Sequence, residues 1–205
     1  MFEPLRIAVV AEGPTDAVVI EAAISQILGG RNYILTQLQP EQSLAFGPTG
    51  TGWGGVFRWC RQSAKRGGKE LDSGKAPGGA LSGDPLFEFH DVLILHLDAD
   101  VAGKHYQDAN IADGFDDLPC AAPCPPARAT TDVLRRVLLK WGGETAIPER
   151  TVLCIPSKNT EAWVLAALFP GDEYVVGGNL ECLQNPGSRI GRQKKAKRVR
   201  KARAA

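Results

Sequence analysis

Long apolar runs are missing from this 205-residue chain. No stretch approaches the roughly 18 residues needed to cross a bilayer, so no membrane-spanning helix is predicted. The opening MFEPLRIAVV lacks the basic lead and small-residue cleavage site of a secretory signal. The expectation from sequence is therefore a cytoplasmic protein. A second cysteine pair and a His-x3-His run are also missing, so CAAPC at Cys120 and Cys124 has no support as a zinc site. The five cysteines are odd in number, and Cys60, Cys154 and Cys182 stand in unrelated apolar settings. They are expected to be structural or incidental thiols, with a metal site or a disulfide at CAAPC as the alternatives. The glycine-rich GPTGTGWGG is not followed by lysine in the G-x-x-x-x-G-K-[ST] order, so it does not read as a phosphate loop. No internal repeat occurs.

Hydrophobic residues make up 43% of the chain, the share of an ordinary folded domain. The formal net charge of +1 hides an asymmetry. From Arg189 the sequence reads RIGRQKKAKRVRKARAA, with nine basic residues and no acid. The remaining body keeps 15 of the 24 basic residues against 23 acidic ones, a net of −8. The expected organisation is one α/β domain over 1–188 and a basic tail over 189–205. Arg192, Lys194, Lys195, Lys197, Arg198, Arg200 and Lys201 form a cationic arm suited to neutralising the phosphates of DNA or RNA. The plainer alternative is a solubilising tail.

Short apolar runs bounded by turn residues predict strands at 5–11, 33–38, 91–97 and 151–155. Helical spacing predicts helices at 16–28 with Thr15 as cap, 56–64, 129–141 and 160–168. Residues 67–85 and 103–126 are rich in Gly, Pro and polar residues and read as surface excursions. Strands alternate with helices, and the strongest strands are continuous apolar runs. That pattern predicts a mostly parallel sheet with helices on both faces, in the manner of a Rossmann-like α/β fold. Functional groups in such folds collect at the carboxyl ends of the strands.

Three predicted strands end in acids or polar groups. The first ends at Glu12, with Asp16 one helical turn on. The third ends at Asp98 and Asp100, and the fourth runs through Ser157, Lys158 and Asn159 to Glu161. Parallel strands would gather these carboxylates, and a divalent cation relieves their repulsion; clustered oxygens favour magnesium or manganese. Asp16 and Glu161 have a simpler explanation, because acids in a first helical turn complement the helix dipole. The two acids of a DxD face opposite sides of a regular strand, so Asp98 and Asp100 act together only where the strand breaks. Trp53 and Trp59 are expected to pack rather than stack on bases, His96 to face a packed layer, and His105 to be a weak supporting group.

AEGPTD and HLDAD resemble the two motifs of the Toprim family, the metal-binding module of primases, topoisomerases and OLD-family nucleases. An acid four residues after the glutamate is more similar to the OLD-type nucleases, and IPSKNTEAWVLAAL and GWGGVFRWC resemble small stand-alone Toprim-like proteins of bacteria. The resemblance spans about residues 5–168. It implies a Toprim/Rossmann-like fold and Mg2+- or Mn2+-dependent cleavage of phosphodiester bonds. Glu12, Asp16, Asp98, Asp100 and Glu161 would hold the metal, and Glu12 would be a ligand or a general acid–base. Lys158 would stabilise charge on the phosphate or move a proton. The chain has no OLD-type ATPase domain, so an ATPase would be a partner, and defence or repair is the setting implied by analogy. Two other readings stay open. LHLDADVAG fits the opening motif of HAD-type phosphatases, with Asp98 as nucleophile and Asp100 as acid–base. A non-catalytic nucleic-acid-binding or regulatory subunit would keep the metal site for assembly.

Overall fold

The computed structural model describes residues 3–41, 47–68, 81–112 and 117–193. Four strands, β1 (Leu5–Val10), β2 (Tyr33–Gln39), β3 (Val92–His96) and β4 (Thr151–Cys154), form one parallel sheet in the order β2-β1-β3-β4. The helices are α1 (Pro14–Leu28), α2 (Gly52–Gly67), α3 (Leu86–Phe89), α4 (Arg128–Gly142), α5 (Glu161–Leu168), α6 (Glu173–Val176) and α7 (Pro186–Gly191). This is the expected α/β, Rossmann-like architecture.

The strand order explains why both faces are covered. From β1 the chain steps outward to β2, then reverses past β1 to β3 and β4. Crossovers of one hand must put α1 on one face and the helices after the reversal on the other. The core divides accordingly. Ile7, Val9, Ala11 and Ile94 pack with Ile20 and Ile24 of α1. Ala8, Val10, Leu93, Leu95 and Leu153 face α2 and α4 with Val56, Phe57, Leu134 and Leu138. The central strands β1 and β3 are therefore buried on both sides, which their unbroken apolar runs anticipate.

On the α2/α4 face Trp53, Phe57, Tyr106 and Trp141 form one aromatic cluster. Trp141 is fully buried and lies 5.4 Å from Phe57, edge to face. Its Nε1–H donates to the Tyr106 hydroxyl at 2.8 Å. Both Trp53 and Trp59 are buried, in keeping with packing. Gly47 and Gly50 lie in the loop before α2, but Gly52, Gly54 and Gly55 lie inside it, so the helix expected from 56 begins four residues earlier. A Cβ on Gly54 would strike the Cβ of Ala109 at 2.6 Å, and one on Gly55 would meet the buried Gln39 side chain. Close approach, not a turn, calls for glycine there.

Several boundaries move. Gly13 caps α1 and Pro14 opens it, so Thr15 lies within the first turn rather than before it. The excursions expected at 67–85 and 103–126 contribute to the core through Leu81, Tyr106, Ile111 and Leu118; residues 69–80 and 113–116 lie outside the described set. Helix α7 extends past the boundary expected at 188. Its Arg189 donates through Nε to Asp172 at 2.8 Å and pairs with Glu173 at 2.9 Å. The Asp172 carboxyl is held below its ordinary range: burial raises it, but is outweighed by Arg189, the Tyr174 backbone amide and Gln193. Of the expected arm only Arg192 is described; Lys194, Lys195, Lys197, Arg198, Arg200 and Lys201 lie outside the described residues.

The cysteines depart from expectation. Cys124 bonds to Cys182 across 58 residues, while Cys120, its neighbour in CAAPC, is free and exposed. A cross-link of that span removes roughly 4 kcal/mol of unfolded-chain entropy in the loop-closure treatment. The expectation of a cytoplasmic protein had counted these cysteines as free thiols, and disulfides are rare in reducing compartments. Among the described residues no helix is long and apolar enough to cross a membrane.

At the amino end of the sheet Arg6 clasps Asp91. Its Nη2 donates to Oδ1 at 2.8 Å, and its backbone N–H donates to Oδ2 at 2.8 Å. The Arg6 side-chain hydrogen bond, with its backbone partner, holds the Asp91 carboxyl down to about 2. The pair stabilises the fold above the ordinary aspartate range, and that contribution is lost as pH falls through about 2. Urea midpoints of wild type and Asp91→Asn should differ between pH 5 and 7 and converge on acidification toward pH 2. A constant gap across that range would show that the carboxylate charge contributes nothing.

Candidate functional site

The carboxyl ends of β1, β3 and β4 lie side by side, and each polar group expected there can be located. Beyond β4 the chain runs along the loop that leaves β3. The Ala99 N–H donates to the Pro156 carbonyl at 3.3 Å, and the Asp100 N–H donates to the Lys158 carbonyl at 3.0 Å. Beyond β1, one Glu12 carboxylate oxygen accepts the Asp98 backbone N–H at 2.8 Å. That bond spans the switch point of the sheet, where the chain leaves β1 toward β2 and later returns to β3.

Asp16 ties α1 into the same region. One oxygen accepts the Gly13 N–H at 2.9 Å, the dipole-complementing role a first-turn acid commonly plays. The other accepts the buried Thr160 hydroxyl at 2.6 Å, from a residue 144 positions away. Asp16 is thus both a helix-end acid and a bridge between α1 and the start of α5.

His96 is expected from the sequence to face a packed layer, and it is fully buried; its place beside two acids is what the sequence reading missed. Strand alternation puts it on the same side as Val92 and Ile94, toward α1. There Asp16, His96 and Asp98 each offer a ligand atom, all within 4.8 Å of one another. His96 Nε2 lies 3.1 Å from Asp98 Oδ1, yet the two are not aligned as a hydrogen bond. Both His96 nitrogens and Asp98 Oδ1 are buried without a hydrogen-bond partner among the described residues. Buried polar atoms are seldom left so. The available signal was one imidazole inside an otherwise apolar strand, DVLILHL, two residues before the acid.

The electrostatics agree with a crowd of negative groups. Burial, then the charge of Asp98 and more weakly those of Asp100 and Asp16, pushes the Glu12 carboxyl up to about 8, against the Asp98 amide that favours its ionised form. Burial also raises Asp98, with His96 acting the other way and Asp16 and Asp100 reinforcing the rise. Cys154, paired with His96 in register, is pushed up to about 12 by burial and by the charges of Asp98 and Asp16.

The remaining expected residues stand at the rim. β3 stops at His96 and a short 3-10 turn covers Ala99–Val101, so the DxD does fall where the strand breaks. Asp100 is exposed on that turn and acts on Glu12 and Asp98 through its charge. Glu161 opens α5 beside Thr160, but a Cβ on Gly187 of α7 would touch its Cγ at 3.7 Å, and it is not part of the Asp16/His96/Asp98 group. Lys158 is half-buried and meets the site through its backbone carbonyl. His105 lies on the surface, 2.8 Å from Asp117.

The donor set fits a divalent cation: two carboxylates and an imidazole at mutual distances a single ion can span, with two of the three donors orphaned in its absence. Comparison with family models, with curated proteins and with solved structures found no match.

Proposed function

We propose that this chain is a divalent-metal-dependent hydrolase of phosphodiester bonds in nucleic acid, of the kind its Toprim-like motifs imply. The observation that carries the reading is the convergence of Asp16, His96 and Asp98 at the carboxyl ends of the strands, with Glu12 bonded to the Asp98 amide. A cation bound there, Mg2+ or Mn2+ in the first instance, supplies Lewis acidity to a phosphate oxygen and acidifies water. Asp16 and Asp98 hold it. Glu12 is a positioning residue: by accepting the Asp98 N–H it fixes the turn that presents the Asp98 carboxylate. Thr160 restrains Asp16 in the same way from α5. Lys158 and Asp100, joined through the Asp100 N–H and the Lys158 carbonyl, stand on the adjoining loops, where a substrate backbone would have to pass. Beyond Arg189, which is engaged with Asp172 and Glu173, the sequence carries eight basic residues suited to polyanion contact without reading base sequence. A separate ATPase partner belongs to the same proposal by analogy alone.

The direct test is cleavage of plasmid DNA, single-stranded DNA and RNA by the full chain in Mg2+ or Mn2+, with chelator controls. Cleavage of at least one substrate that stops on chelation and returns on adding metal is the expected result. Cleavage indifferent to chelation, or none on any substrate with either metal, would overturn the reading.

A further inference from the structure

His96 offers a nitrogen donor that an all-oxygen magnesium site does not use. We propose that His96 Nε2 coordinates the metal together with Asp16 and Asp98, and that the centre therefore selects an imidazole-accepting transition metal such as Fe2+, Co2+ or Zn2+ over Mg2+. This rests on the metal-centre reading above and specifies which metals the centre takes.

Three observations converge on it. The first is burial. His96 has no exposed surface, and neither ring nitrogen has a hydrogen-bond partner among the described residues. An uncompensated polar atom in that position is costly, and a metal bond to Nε2 removes one such cost. The second is spacing. Nε2 and Asp98 Oδ1 are 3.1 Å apart but misaligned for a hydrogen bond. Two ligands at right angles around one ion, each with a bond of about 2.1 Å, stand about 3 Å apart. The third is direction. Period-two alternation from Ile94 turns His96 toward α1, the helix that delivers Asp16.

Ligand chemistry then decides the ion. Mg2+ dehydrates reluctantly and prefers oxygen donors, whereas imidazole suits the later divalent metals. The rival arrangement is a protonated His96 held between Asp16 and Asp98 with no metal. It accounts for the 3.1 Å contact as an ion pair, and it differs from the proposal in predicting no metal-bound nitrogen.

The experiment uses the full chain and the metal salts alone. Mg2+, Mn2+ and Co2+ binding is measured by calorimetry for wild type and His96→Gln, and the Mn2+ and Co2+ forms are examined by pulsed electron paramagnetic resonance for coupling to a directly bound nitrogen. Wild type should bind Co2+ at least about tenfold more tightly than Mg2+. The substitution should weaken Co2+ by roughly 10–100-fold while changing Mg2+ by less than about threefold, and the nitrogen coupling should vanish. If the substituted chain fails to fold, nitrogen coupling in wild type decides the matter alone. Binding without nitrogen coupling, and with unchanged selectivity in His96→Gln, overturns the role of His96 and leaves a carboxylate metal centre standing. No binding of any of the three ions at millimolar concentration overturns both.

Discussion

Asp98→Asn should abolish cation-dependent cleavage and leave the fold intact. Asp98 is the one acid that every part of the site touches. Its amide is held by Glu12, its Oδ1 faces His96, and it shares the ligand group with Asp16. Removing even a supporting partner of a metal ligand commonly costs 10–100-fold, so loss of a ligand carboxylate should cost at least about a hundredfold in rate. Asparagine keeps the shape and the backbone N–H, so the Glu12 bond survives. It removes one negative charge from a region where burial and neighbouring acids already disfavour the ionised form. In chelator the variant should therefore melt at or above the wild-type temperature. Added Mn2+ should stabilise wild type by about 2.7 kcal/mol at a hundred times its dissociation constant and the variant by much less. Thermal melts with and without Mn2+, run beside the cleavage assay, separate these effects. Wild-type cleavage by Asp98→Asn would remove this residue from the chemistry.

The largest stability effect is expected at the opposite face of the sheet. Trp141→Ala should destabilise the fold by about 3–5 kcal/mol, the range for truncating a buried Trp or Phe. Trp141 is fully enclosed, lies between Phe57, Trp53 and Tyr106, and gives its one N–H to the Tyr106 hydroxyl. Truncation opens a cavity at the contact of α4 with α2 and takes away that donor. Trp141→Phe keeps an aromatic ring and should cost less, about 1–3 kcal/mol from the lost hydrogen bond and residual space. Urea unfolding gives both values. A cost below about 1 kcal/mol for the alanine variant would mean that the cluster is loosely packed. Because the proposed metal ligands lie toward α1, Mn2+ affinity in the native state should be unchanged in both variants.

The parts of the fold legible in the sequence are those where one physical signal dominates. β1 and β3 are covered on both faces, so they read as continuous apolar runs, and their alternation with helices implied a parallel sheet. The start of α2 was illegible because glycine ordinarily breaks helices. Gly54 and Gly55 are tolerated there because Ala109 and Gln39 approach too closely for a Cβ, a reason that exists only in three dimensions. Leu81, Ile111 and Leu118 are single apolar residues in polar surroundings, and no periodicity marks them for the core. Of the candidate site, the gathering of Glu12, Asp16 and Asp98 followed from strand ends alone. His96 required counting faces backward from Ile94. The Thr160 contact to Asp16 joins residues too distant in sequence for local spacing to reveal. The disulfide was hidden for the same reason: CAAPC draws attention to Cys120, while the true partner of Cys124 waits 58 residues on.

That cross-link also makes a topological division. Everything between Cys124 and Cys182, including α4, β4, Thr160 and α5, belongs to one covalent ring. Asp16, His96 and Asp98 lie on the open strand that precedes it. The site therefore lies where the segment before Cys124 meets that covalent ring, and the Thr160–Asp16 contact is a seam between the two. Thiol reductants would enlarge the unfolded ensemble of that loop, raising the entropic cost of assembly without altering Asp16, His96 or Asp98.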